Sequence, residues 1–142
     1  MAIGSMGVRT TNFTITQASC EIRTTAAVRA ALLEMSIIQA TATAQSLGLG
    51  RPQAQGVTPG GISTFVRDEP GAPVCVTTQN LSWATSPTVP LVFHRRWNSA
   101  ATIGVGIIWT FPRALVVPVS ASLVVWNITT AVACDINVVI DE

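Results

Sequence analysis

The sequence predicts an all-β protein, an antiparallel β-sandwich of about eight strands, and three observations carry that reading. Apolar residues alternate with small or polar ones over several segments, the period of a strand with one buried face. These segments are separated by Gly, Pro, Ser and Asn clusters at the spacing of a sandwich. The most apolar stretch, LVVPVSASLVVWN at 115–127, carries Pro118 and Ser120 in its middle. A bilayer span needs about 20 predominantly apolar residues in one helix, so this run reads as two strands and a turn, not an anchor.

Taken in order, residues 1–12 are small and almost uncharged and are expected to form an extended N-terminal arm, leaving 13–142 as a single domain. Phe13 to Arg23 reads as a strand, and the change of phase between Phe13/Ile15 and Ala18/Cys20/Ile22 suggests a bulge. Residues 26–41 are ambiguous. Their Ala, Leu, Glu and Met content, with Thr24 or Thr25 as a cap, slightly favours a helix, whereas Leu33, Met35 and Ile37 against Glu34 and Ser36 fit a strand. Two loops follow, a Gly- and Pro-rich one at 46–63 and a charged turn, VRDEPGAP, at 66–73.

Further strands are expected at 74–83 and 89–97. In 103–111 the large apolar set is Ile103, Val105, Ile107, Trp109 and Phe111, with Gly104 and Gly106 opposite. Leu115 to Val117 and Ser122 to Ile128 flank a turn at Pro118 to Ala121, since proline cannot donate to a ladder. Leu123 and Val125 then face one way and Val124, Trp126 and Ile128 the other, as in a strand covered on both sides. In 132–140, Val132, Cys134, Ile136, Val138 and Ile140 form a core face opposite Asp135 and Asn137.

Composition bears on function. Charged residues make up 11% of the 142 residues, against about 25% in a typical soluble domain. A monomer of this mass exposes on the order of 7,000 Å², so fifteen charges leave its surface sparse, and burial in an oligomer resolves this. All eight basic residues are arginine, which suits buried interfaces, although a GC-rich genome produces the same bias. A net charge of +1 provides no electrostatic footprint for nucleic acid. The N-terminus lacks the charged and apolar regions of a secretory signal, so folding in a cytoplasm is expected.

Catalytic and metal constellations find little support. His94 is the single histidine, so the ligand cluster of a metal-binding cupin cannot be assembled. A Ser/His/Asp arrangement with Asp68 or Asp135 lacks an exposed nucleophile elbow, and a Cys75/His94 pair has no better support. The loop GLGRPQAQG has no lysine and cannot act as a Walker phosphate cradle. Cys20, Cys75 and Cys134 are widely spaced and sit among apolar neighbours, which predicts three buried thiols without a disulfide. Sequons begin at Asn12, Asn80 and Asn127, as chance allows in a threonine-rich chain. No enzyme activity, cofactor or metal is therefore expected.

The concentrated polar feature is HRRW at 94–97, where Arg95 and Trp97 would share the face of Phe93. Arginine and tryptophan are frequent interface anchors. The alternative is a solvated strand end with Trp97 capping the core. With the loop arginines, the candidate partner interface is Arg51, Arg67, Arg95, Arg96 and Trp97.

The segments GLGRPQAQGVTP, FHRRW, GVGIIWTFPRALVVP and SLVVWNI, with the terminal pair Asp141/Glu142, resemble small jelly-roll proteins of bacteriophage and prophage structural modules. The resemblance runs from about Ala30 onward, a pattern of strands and turns. It implies a jelly roll, makes 30–41 a strand, and implies a capsid decoration (cement) protein on the virion exterior. Its partners would be the major capsid protein, other virion subunits and further copies of itself, a trimer being preferred. A head-fibre or tail-associated module binding a receptor or carbohydrate is the alternative. Sugar binding wants exposed Trp or Tyr, whereas tyrosine is absent and Trp83, Trp109 and Trp126 lie in apolar strands.

Overall fold

The computed structural model describes residues 2–10, 14–130 and 132–142, and all regular structure among them is strand. Eight longer strands build the frame: β1 (Ile3–Arg9), β2 (Ala18–Arg23), β3 (Ala30–Gln39), β4 (Ser46–Gly50), β10 (Phe93–Asn98), β11 (Gly106–Val117), β12 (Ser122–Asn127) and β13 (Cys134–Asp141). Between β4 and β10, residues 51–92 form an insertion with five short strands. These are β5 (Val57–Gly60), β6 (Ser63–Thr64), β7 (Val66–Arg67), β8 (Thr78–Asn80) and β9 (Ser82–Thr85).

The long strands pair as a folded antiparallel ribbon, β1 with β13, β2 with β12, β3 with β11 and β4 with β10. Contacts of β13 with β3 and of β12 with β4 join these hairpin arms into sheets. One sheet has the order β11-β3-β13-β1-β7 and the other β10-β4-β12-β2-β8-β6, while β5 and β9 pair apart. The inner faces share one core that includes Ile22, Leu49 and Leu123 from one sheet and Leu32, Ile37, Ile136 and Ile140 from the other. The protein is thus an antiparallel β-sandwich.

The doubly apolar reading of 122–128 holds. Leu123 and Val125 enter the main core, while Val124 and Trp126 join Ala18 in a second cluster on the outer face, against Trp83, Phe93 and Ile128. The insertion therefore covers the outside of that sheet. The turn expected at 118–121 is present, with Ser120 at φ 51°. In β13 the expected face, Cys134, Ile136, Val138 and Ile140, is buried.

Several boundaries differ from expectation. Residues 3–9 are not a free arm: they are β1, hydrogen-bonded between β13 and β7. Partners of high sequence separation supply the ordering energy that the segment's own composition lacks. The strand expected from Phe13 begins at Ala18, and Ile15–Thr16 form a turn, with Thr16 at φ 56°; the bulge lies inside β2 at Ser19, so Ala18 faces outward while Cys20 and Ile22 face the main core. Phe13 itself lies outside the described residues. The strand expected at 74–83 is split into β8 and β9, and that at 89–97 starts at Phe93.

Residues 30–39 are a strand, against the slight helical preference of their composition. Its register slips beside β13, so Ala30 and Leu32 are buried, then Met35, Ile37 and Gln39. The extra residue places Leu32 and Met35 three apart, a spacing that imitates a helix face. Tertiary pairing on both sides overrides local propensity there.

Candidate interaction surface

The arginine-bearing edge is built on two glycines. Gly48 and Gly50 project toward the outer face of β4, and their missing side chains make room for Phe93 and Pro90. A Cβ on Gly50 would lie 2.6 Å from Pro90 Cβ and 2.9 Å from the Val92 carbonyl. With Pro90 buried and Phe93 half-buried, the two intervening residues are pushed outward. Leu91 is 79% exposed and Val92 76%, the highest values among the exposed large hydrophobic side chains.

The strand then bulges at His94, because Phe93 pairs with Gly50 while Arg95 already pairs with Leu49. This corrects the expected faces of HRRW. Phe93 shares the outer face with Arg96, whose guanidinium lies 5.8 Å from the Phe93 ring centroid. Arg95 and Trp97 lie on the inner side. Arg95 stacks 5.3 Å from the Phe111 ring of β11, bridging the open edge of the sandwich, and Trp97 packs against the main core. Arg51 reaches the same edge, donating from Nη2 to the Val116 carbonyl at 2.6 Å. The pKa of His94 is lowered, first by burial and then by the positive charges of Arg51 and Arg95, so the ring carries less charge than a free histidine.

The structure thus gathers Arg51, Arg95 and Arg96 around His94 and the Leu91–Val92 tip. Arg67 lies elsewhere, on β7 at the opposite edge of the sandwich, donating to the Ala72 carbonyl at 2.6 Å. Trp97 acts here as core, the alternative considered from sequence. Among the described residues the ion pairs are Arg9–Asp135 and Arg23–Glu21, so Arg51, Arg95 and Arg96 face no carboxylate.

A second polar centre escaped the sequence reading. Glu21 lies in β2 between Cys20 and Ile22, where alternation alone would put it in solvent, yet it is fully buried. Trp83 Nε1 donates to its Oε2 at 2.7 Å, with longer contacts from Asn80 Nδ2 at 3.4 Å, the Gly56 amide at 3.3 Å and Arg23 at 3.4 Å. All but Arg23 come from the insertion, so the carboxylate ties it to the sandwich. No periodic signal announces this.

The three cysteines are free and buried. Burial raises all three thiol pKa values, that of Cys20 to about 12. Gln79 donates to Cys20 Sγ at 2.9 Å and Gln45 to Cys134 Sγ at 2.7 Å. Among the described residues no group of three His, Cys, Asp or Glu side chains is placed to hold a metal, and no helix is long and apolar enough to cross a membrane. Comparison with protein-family profiles, curated proteins and solved structures finds no match.

Proposed function

We propose that the chain is a non-enzymatic virion structural protein that decorates a bacteriophage capsid and stabilises it by bridging subunits. The observation that carries this reading is an exposed surface rich in large hydrophobic side chains and poor in charge. Fifteen Ile, Leu and Val side chains are exposed among the described residues. The accessible surface is 6808 Å², about one charge per 450 Å², less than half the usual density. Such a surface is suited to lie against other subunits.

Two further features support it. The ribbon order of the eight long strands, two sheets with the first strand beside the last, supports a jelly-roll reading, an arrangement known from viral capsid domains. The competing reading, a receptor- or carbohydrate-binding module, calls for an exposed aromatic platform. Trp109 and Trp126 are buried, and Trp83 and Trp97 are half-buried. Because residues 3–9 belong to the sandwich, the bridging contacts fall to the exposed apolar loops and the arginine-bearing edges.

The test is particle stability. Particles lacking the protein should release DNA at lower temperature or under milder osmotic shock than complete ones, and Arg95→Ala with Arg96→Ala should lower occupancy without unfolding the sandwich. If particles without it resist heat and shock equally but fail to adsorb to cells, the receptor-binding reading takes its place.

A further inference from the structure

The two lateral edges of the sandwich are chemically opposite. At the β10/β11 edge the Leu91–Val92 tip projects beside Arg51, Arg95 and Arg96, three cations without a carboxylate partner among the described residues. At the β7 edge the chain passes from Arg67 into Asp68 and Glu69, both exposed. There a concavity of about 360 Å³ is lined by Ile3, Asp68, Glu69 and Ala72. Its floor is held in place: the Asp68 amide donates to the Ile3 carbonyl at 2.9 Å, and Ser5 Oγ donates to Asp68 Oδ1 at 2.6 Å. Exposed Val66 (69%) and Val74 (68%) add apolar surface along this edge. Arg67, the cation there, is turned onto the Ala72 carbonyl.

We infer that the protein self-associates head to tail, the Leu91–Val92 tip of one copy entering the Ile3/Ala72 concavity of the next while Arg95 and Arg96 meet Asp68 and Glu69. The occupant is a second copy because one chain supplies both complementary halves, an apolar tip flanked by arginines and an apolar concavity lined by Asp68 and Glu69, with Arg67 turned onto the Ala72 carbonyl. The seating of Pro90 and Phe93 over Gly50 and Gly48 holds the tip outward before contact, which lowers the ordering cost of association. A two-fold contact confined to either edge would set like charges against each other, and one partner cannot meet both edges because they lie on opposite sides of the sandwich. A head-to-tail contact uses each edge once and closes into a ring, such as a trimer, when the rotation between copies permits. The inference deepens the assembly reading above and rests on it, but not on the identity of any shell.

Two variants of exposed residues test it on purified full-length protein, with mass measured by light scattering and analytical ultracentrifugation. Leu91→Asp with Arg96→Glu disables the tip, and Asp68→Asn with Glu69→Gln, which offers no positive charge to the altered tip, disables the concavity. Wild type should form oligomers that weaken with added salt. Each variant should remain folded by circular dichroism and associate at least roughly tenfold more weakly, the effect of losing one interface anchor. An equimolar mixture should form dimers and nothing larger, because one intact tip meets one intact concavity. The milder pair Leu91→Ser and Glu69→Gln serves if either double variant unfolds, with smaller losses expected in the same direction. Monomeric wild type at tens of micromolar, a variant that assembles like wild type, or a mixture of folded variants that stays monomeric would each overturn the inference. Particle assays fail independently: oligomers in solution with no effect on particles would remove the shell reading and leave this one standing.

Discussion

Replacing Trp83 by Phe removes one N–H from the centre that fastens the insertion to the sandwich. The wild-type indole donates to Glu21 Oε2 at 2.7 Å, and Glu21 is fully buried. The remaining donors to that carboxylate stand at 3.3–3.4 Å, too long to compensate without movement. A hydrogen bond to a charged group contributes about 1.5–3 kcal/mol net, and leaving a buried acceptor short of a donor falls at the upper end. The smaller ring also leaves a void beside Val124 and Trp126, adding about 1 kcal/mol. Together these give a loss of about 4 kcal/mol and a fall in Tm of roughly 8–16 °C.

Urea denaturation followed by circular dichroism measures the loss, and a cycle with Glu21→Gln isolates the pair. If the indole–carboxylate bond matters as argued, the double variant should be less destabilised than the sum of the single variants by at least about 1 kcal/mol. A Trp83→Phe cost below about 0.5 kcal/mol, or strict additivity with Glu21→Gln, would refute the claim that this bond anchors residues 51–92.

The thiols of Cys20, Cys75 and Cys134 should resist alkylation in the folded protein and all react after denaturation without reductant; a linked peptide pair in mass spectrometry would contradict their free state. The Arg9–Asp135 pair across β1 and β13 should be felt only where Asp135 is ionised. Its carboxyl pKa is lowered first by the hydrogen bond from Arg9, so the pair's small contribution is complete above the ordinary value of 3.8 and disappears as pH falls through the depressed one. Arg9→Gln should therefore be slightly less stable than wild type at neutral pH and equal to it in strong acid, as thermal melts at both pH values would register.

What could be read from the chain was whatever its own local pattern determines. The alternation in 134–140 and the two-faced run 122–127 survive because each strand keeps one phase throughout and its partners merely cover it. Where a strand changes phase, the pattern misleads. The slip near Leu33 makes β3 imitate a helix, and the bulge at His94 sends Arg95 inward toward Phe111 while Phe93 and Arg96 share the outer face. Sequence exposes neither slip, because a bulge is set by the register of two strands far apart in the chain. The same limit explains β1, a nearly uncharged segment paired with β7 and, along its whole length, with β13, whose partner positions are more than a hundred residues away.

The candidate surface divides along this line too. Its arginines were visible as residue types, but their grouping was not, since Arg51 and Arg95 meet through β4 and β10 while Arg67 is carried by the insertion to the opposite edge. Charge scarcity raised the expectation of assembly without saying where. The exposed tip follows from small residues: Gly48 and Gly50 seat Phe93 and Pro90, and Leu91 and Val92 between them are left exposed. A glycine in a strand was legible as a weak point in a ladder. Here it is a recess on the outer face, and the exposed tip is its consequence.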